Sequence, residues 1–127
     1  MATRRSVRGS SPPDEWQPVC RLGELEVDRG ATALVHGQAL AIFRTDRSVF
    51  ALGNHDPFSR TSSIARGIVG RRGEVPFVGS PAHGHRFDLR TGQCLDDLHS
   101  AVPSYDVKVV DGVVLVGRRK GQHVRPA

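Results

Sequence analysis

The chain has 127 residues, 38% of them apolar and 24% charged, which is enough for one domain with a moderate core. No run approaches the ~20 consecutive apolar residues of a membrane-spanning helix. A net charge of +5 raises nucleic acid as a partner, but the charge sits at the two ends, and basic residues interleaved with aromatics, as single-strand binders use, are absent.

Residues 1–13 hold Arg4, Arg5 and Arg8 and no acid. Arg4-Arg5 is followed by Ser, Gly and Pro with no apolar stretch, so it does not read as a secretory leader, and a cytoplasmic protein is expected. Residues 118–127 hold Arg118, Arg119, Lys120 and Arg125, again without an acid. Between the tails, residues 14–117 carry 11 basic and 13 acidic side chains. The expected layout is a disordered basic tail over 1–14, a folded domain over 15–117 and a basic tail over 118–127.

Within the domain, Trp16–Arg21 reads as a first strand, followed by a turn-rich connection through Asp28-Arg29-Gly30. Thr32–Val35 and Gln38–Arg44 flank His36-Gly37, the pattern of a tight hairpin. Thr45-Asp46-Arg47 is a turn leading into a strand at Val49–Leu52. Residues 53–73 show no sustained period and are expected to form a long irregular loop. Glu74–Val78 reads as a strand. Phe87–Leu89 and Gln93–Leu95 flank the three-residue loop Arg90-Thr91-Gly92. Val107–Val110 and Val113–Val116 enclose Asp111-Gly112, which favours a type I′ turn. No window shows a helix-length amphipathic repeat. The fold class is therefore all-β, an antiparallel sandwich or barrel of short strands. Cys20 and Cys94 lie beside apolar residues with no metal-ligand spacing and are expected to be buried structural thiols.

Two segments carry the chemistry: Asn54-His55-Asp56 and Ser80-Pro81-Ala82-His83-Gly84-His85-Arg86-Phe87-Asp88. Each by itself is an ordinary turn. In this order, separated by a strand, they resemble the Rieske motif, in which Cys-x-His and Cys-x-x-His hold a two-iron cluster. On that pattern Asn54 and Ser80 stand where the two Cys belong, and Asp56 stands for the first His. Only His83 keeps a ligand's identity. Asp56, His83 and His85, with His55 in reach, supply the residue types of a two-His, one-carboxylate metal site. The i, i+2 spacing of the two His argues against that site unless a turn intervenes, so no bound metal is expected.

Over residues 16–117 the match goes further. Asn54-His55-Asp56-Pro57-Phe58-Ser59, Ser63-Ile64-Ala65-Arg66-Gly67-Ile68-Val69-Gly70 and Val102-Pro103-Ser104-Tyr105-Asp106-Val107-Lys108-Val109 resemble the small subunit of bacterial NAD(P)H-dependent assimilatory nitrite reductase. The resemblance implies a Rieske-like β fold with a degenerate, cluster-free end. It also implies a large-subunit partner holding flavin, siroheme and an iron–sulfur cluster, with which nitrite is reduced to ammonia in nitrate assimilation. The chain itself shows no dinucleotide fingerprint, no nucleophile elbow and no positioned base. It is expected to hold no cofactor and to be non-catalytic alone, with His55, Phe58, His83 and His85 on partner-docking loops. The alternatives are a Rieske ferredoxin carrying electrons to an oxygenase, which needs the missing thiolates, and a stand-alone binding module.

Overall fold

The computed structural model describes residues 16–121. In chain order they form β1 (Gln17–Arg21), a 3-10 turn at Leu22–Glu24, β2 (Arg29–Val35), β3 (Gln38–Arg44), β4 (Val49–Gly53), β5 (His55–Asp56) and β6 (Thr61–Ser62). A second 3-10 turn at Ile64–Arg66 precedes β7 (Ile68–Arg72), β8 (Val75–Gly79), β9 (Arg86–Asp88), β10 (Ser104–Val110) and β11 (Val113–Arg119). A six-stranded antiparallel sheet runs β1-β11-β10-β4-β3-β2, beside a three-stranded sheet β7-β8-β9 and the β5-β6 ribbon. The all-β antiparallel expectation holds.

Both tight hairpins form where the turn residues demand. His36 and Gly37 take φ 50° and 76°, and Asp111 and Gly112 take 51° and 78°. Left-handed values at both central positions are those of a type I′ turn, whose twist matches the flanking strands. The first of these turns sets a continuous register from Arg29↔Arg44 to Val35↔Gln38.

Residues 53–73 are not the irregular loop expected from their sequence, because they contain β5, β6, a 3-10 turn and β7. The physical reason is that these strands bury no alternating face. β5 and β6 have two residues each, and β7 is a half-exposed outer strand. Conversely, Gln93–Leu95 is not a strand: the returning arm of its hairpin makes only the isolated bridges Phe87↔Cys94 and Gln93↔Ala101. At the C-terminal end, β11 continues through Arg119 and the Lys120 amide donates to the Ser104 carbonyl at 2.8 Å. The segment read from sequence as a basic tail thus begins inside a strand. The expected tail over 1–14 and residues 122–127 lie outside the described residues.

β3 explains how the layers stack. Its Leu40-Ala41-Ile42-Phe43 run is buried on both faces. Leu40 and Ile42 join Val35, Ala51, Tyr105, Val114 and Val116 in one cluster, under the curl of the large sheet. Ala41 and Phe43 join Leu52, Ile64, Val78, Phe87 and Leu89 in a second cluster between the large and small sheets. A strand covered on both sides reads as a continuous apolar run rather than an alternation. The outer strands of the large sheet also approach each other, the His36 amide donating to Gln17 Oε1 at 3.2 Å. This second cluster fixes the small sheet, and with it the two motif loops, to one end of the domain.

Candidate functional site

The first motif begins where β4 ends. Asn54 is 5% exposed and works as a strut. Its amide donates to the Ala39 carbonyl (3.1 Å), its carbonyl accepts from the Ile64 amide (3.1 Å), and its Oδ1 accepts from the Ala65 amide (2.8 Å). Asn54 thereby pins the 3-10 turn at Ile64–Arg66 against β3. Two residues on, Asp56 is wholly buried. Its Oδ1 accepts from the Phe58 amide at 2.9 Å, an Asx turn, and its Oδ2 accepts from the Ser80 hydroxyl. Burial pushes the Asp56 carboxyl up, but the bonds from Ser80, Phe58 and Ser59 outweigh it, so the net shift is downward and the buried group is a carboxylate.

The second motif is a closed turn. The Ser80 amide donates to the His85 carbonyl and the Gly84 amide to the Ser80 carbonyl, both at 2.8 Å. Gly84 takes φ 75°, a conformation side chains rarely adopt. The turn leaves His83 exposed at its tip and folds His85 back against the domain. There the His85 ring stacks flat on Phe58, with centroids 3.7 Å apart and planes within 6°. Phe58 is half-buried and packs onto the second core cluster, 6.2 Å from Phe87. His83 stands edge-on to His85 at 6.2 Å, so the turn does bring these two rings near each other despite their i, i+2 spacing. His55 is exposed on β5.

These residues do not fit a Rieske cluster. It needs two thiolates and two imidazoles, whereas three of the four positions carry oxygen donors. Asn54 Oδ1 and both Asp56 oxygens already accept hydrogen bonds, and the Ser80 hydroxyl donates to Asp56. Nor do three His, Cys, Asp or Glu side chains converge to hold a metal ion anywhere among the described residues. The two thiols lie elsewhere. Cys94 is buried in the second core cluster, and Cys20 is half-buried, its thiol pushed up by burial and by Glu24. Thiols in such surroundings are unreactive.

Comparisons with known proteins identify the fold and the family. Residues 15–117 match the family described as Rieske-like [2Fe-2S] domain. The nitrite reductase (NADH) small subunit of Salmonella typhimurium is 38% identical over 102 residues, spanning 79% of this chain and 94% of that protein. The chain belongs to the nitrite reductase small-subunit family of Rieske-like domains. A crystal structure from Mycobacterium tuberculosis, described as an NADH-dependent nitrite reductase small subunit, superposes with a TM-score of 0.80 at 41% identity. That alignment covers 83% of this chain and 96% of the other. This domain also has a counterpart inside a longer protein. The nitrite reductase [NAD(P)H] large subunit of Klebsiella oxytoca is 35% identical over 109 residues, which are 86% of this chain and 11% of that one.

Sequence reasoning missed two supports of this end. A chain of hydroxyls, Ser59 Oγ to Thr61 Oγ1 (2.7 Å) to Ser63 Oγ (2.9 Å), lines the β5-β6 ribbon. Ser or Thr at every second residue, 59, 61 and 63, was its available signal. The Arg86 guanidinium grips the Asp96 carboxylate by two bonds, 2.6 and 3.2 Å, while the Arg86 amide donates to the same group at 2.8 Å. No local spacing announces that pair, which ties the β9 strand to the loop after Cys94.

Proposed function

We propose that this chain is the small, cofactor-free subunit of a cytoplasmic NAD(P)H-dependent nitrite reductase that reduces nitrite to ammonia in nitrate assimilation. On this reading the large subunit carries flavin, siroheme and iron–sulfur cluster and performs the chemistry. The small subunit supports or orients it. The observation that carries the reading is the hydrogen bonding at the former ligand positions: Asn54, Asp56 and Ser80 are buried and spent on one another and on backbone amides. Groups so used brace two loops and leave no donor set for electron transfer. The counterpart within a Klebsiella oxytoca large subunit supports a working partnership, since a domain joined covalently in one protein is commonly a separate partner in another. The loops carrying His55, Phe58, His83 and His85 form the docking end in this reading. His55 and His83 are its exposed polar groups, and the Phe58–His85 stack is its rigid base.

The test is co-expression with the large subunit from the same genome. The expected result is a complex that isolates intact, in which the small subunit, separated, is colourless and yields no acid-labile sulfide. Removing it should lower NAD(P)H-dependent nitrite reduction. A brown small subunit with a reduced-state EPR signal would overturn the reading in favour of an electron carrier.

A further inference from the structure

β7 is the outer strand of the small sheet, and no other strand pairs with its free side among the described residues. The direction of its backbone groups follows from two hydrogen bonds on the opposite side of β8. The Leu89 amide donates to the Pro76 carbonyl and the Ser80 amide to the His85 carbonyl. Residues 76, 78 and 80 therefore turn their polar groups toward β9, and 75, 77 and 79 turn theirs toward β7. By the register Ile68↔Gly79, Gly70↔Phe77 and Arg72↔Val75, those three β7 residues are the bonded ones. Val69 and Arg71 thus present amide and carbonyl outward, as a template for another strand.

The surroundings of this edge are shaped and charged. Two adjoining hollows of about 430 and 370 Å³ run beside it, between β7 and the segment from Asp28 to Gly30, and share Asp28 and Val69. Ile68 is 78% exposed, although it is a large apolar residue at the head of a strand. Side chains alternate along a strand. With Val69 packed on the core, Ile68 shares the outer face with the Phe77 ring, which seats against Gly70. A Cβ at Gly70 would stand 2.8 Å from the tip of that ring, so a side chain there would push the ring aside. Arg66, Arg71 and Arg72 are exposed, and none has an acidic partner at salt-bridge distance among the described residues. The far wall contributes Asp28, Asp46 and Arg29, the last paired with Glu26, and Glu74 is exposed in the β7-β8 turn; Arg66, Arg71 and Arg72 are the cations on β7 and the turn before it.

We propose that the outer edge of β7 receives an extended, acid-rich segment of the large subunit as a fourth strand of the small sheet, with Ile68 and Phe77 as its apolar contacts. The main chain of Val69 and Arg71 supplies the hydrogen bonds, and the arginines select an acidic sequence. A second copy of this chain is the poorer occupant, because pairing two β7 edges would crowd Arg71 and Arg72 of both copies along one seam. This inference rests on the partnership proposed above.

The experiment measures association of the full chain with the large subunit for the wild type, Arg71→Pro, the double reversal Arg71→Glu/Arg72→Glu, and Leu34→Glu on β2 as a distant control. Arg71→Pro removes an outward amide at an edge, where proline is tolerated. The reversal keeps every backbone donor. Both should weaken association by about tenfold or more, with Leu34→Glu unchanged and wild-type affinity falling as salt rises. In the complex, exchange of the Val69 and Arg71 amides should slow by about tenfold or more relative to the free chain. Should Arg71→Pro fail to fold, the reversal and the exchange data decide. Wild-type association with unaltered variants, or unchanged exchange at Val69 and Arg71, would overturn this inference alone. No association by the wild type would overturn the partnership as well.

Discussion

The carboxylate of Asp56 accepts a hydrogen bond from the Ser80 hydroxyl, joining two buried side chains that lie 24 residues apart in sequence. These are the corners at which a Rieske domain is bridged by iron and sulfide. Here a polar bond holds the loops together, and its energetic role can be measured.

Replacing Asp56 by Ala leaves the buried Ser80 hydroxyl and the half-buried Phe58 amide without their acceptor and should cost about 2–3 kcal/mol. Ser80→Ala should cost less, about 1–2 kcal/mol, because Asp56 keeps its Phe58 bond. Asp56→Asn should be milder than Asp56→Ala, since its amide can still donate to Ser80 Oγ. Urea unfolding of the single and double variants should show non-additive losses. Additive losses would deny the coupling.

Acid should expose a second tie. The Arg86 guanidinium and amide hold the Asp96 carboxyl at about 2, against an ordinary 3.8. A depressed folded-state value stabilises the fold fully above about 3.8, and that contribution disappears as pH falls toward 2. Asp56 is shifted in the same direction, by its bonds from Ser80 and Phe58, and its contribution likewise is lost on acidification. Unfolding midpoints should therefore drop between about pH 4 and 2, and Asp96→Asn should lose less across that window than the wild type. Parallel curves for the two proteins would rule out Asp96 as a source.

Packing limits are sharpest at Gly67. Its φ of −73° suits any residue, yet a Cβ there would run into the Gly79 carbonyl and stand 2.6 Å from Val78 Cγ2. Gly67→Ala should destabilise by about 2–3 kcal/mol through overpacking. Gly23→Ala, with nothing within 4 Å of the new methyl, should be close to neutral. A thermal melt of each variant distinguishes them.

Phe58 serves its own domain first. Truncation to Ala removes the ring that lies on His85 and on the second core cluster, and should cost about 1–2 kcal/mol for a half-buried aromatic. Subunit association measured well below the melting temperature then isolates any docking role. A large loss of affinity with unchanged stability would make Phe58 chiefly an interface anchor.

Local patterns carried much of the architecture. His36-Gly37 and Asp111-Gly112 specify their turns through backbone conformations few other pairs accept, and both hairpins were legible. β5, β6 and β7 were not, because short or half-exposed strands have no buried face to impose an alternation. The site divided the same way. Asn54 and Ser80 at the cysteine positions are visible as residue types. That Asn54 pins the Ile64–Arg66 turn, and that His85 folds onto Phe58 while His83 stays outside, follows from how the Ser80–Gly84 turn closes over the core.

The sequence by itself determined the family, the all-β class and the lack of thiolates at the two cysteine positions, since each depends on residue identity and spacing along the chain. Only the tertiary structure decided which polar groups are spent on one another and which backbone edge faces outward. Those properties depend on contacts between distant segments, such as Asp56 with Ser80 and β7 with β8. They arise only once burial of the shared apolar cluster has brought the segments together.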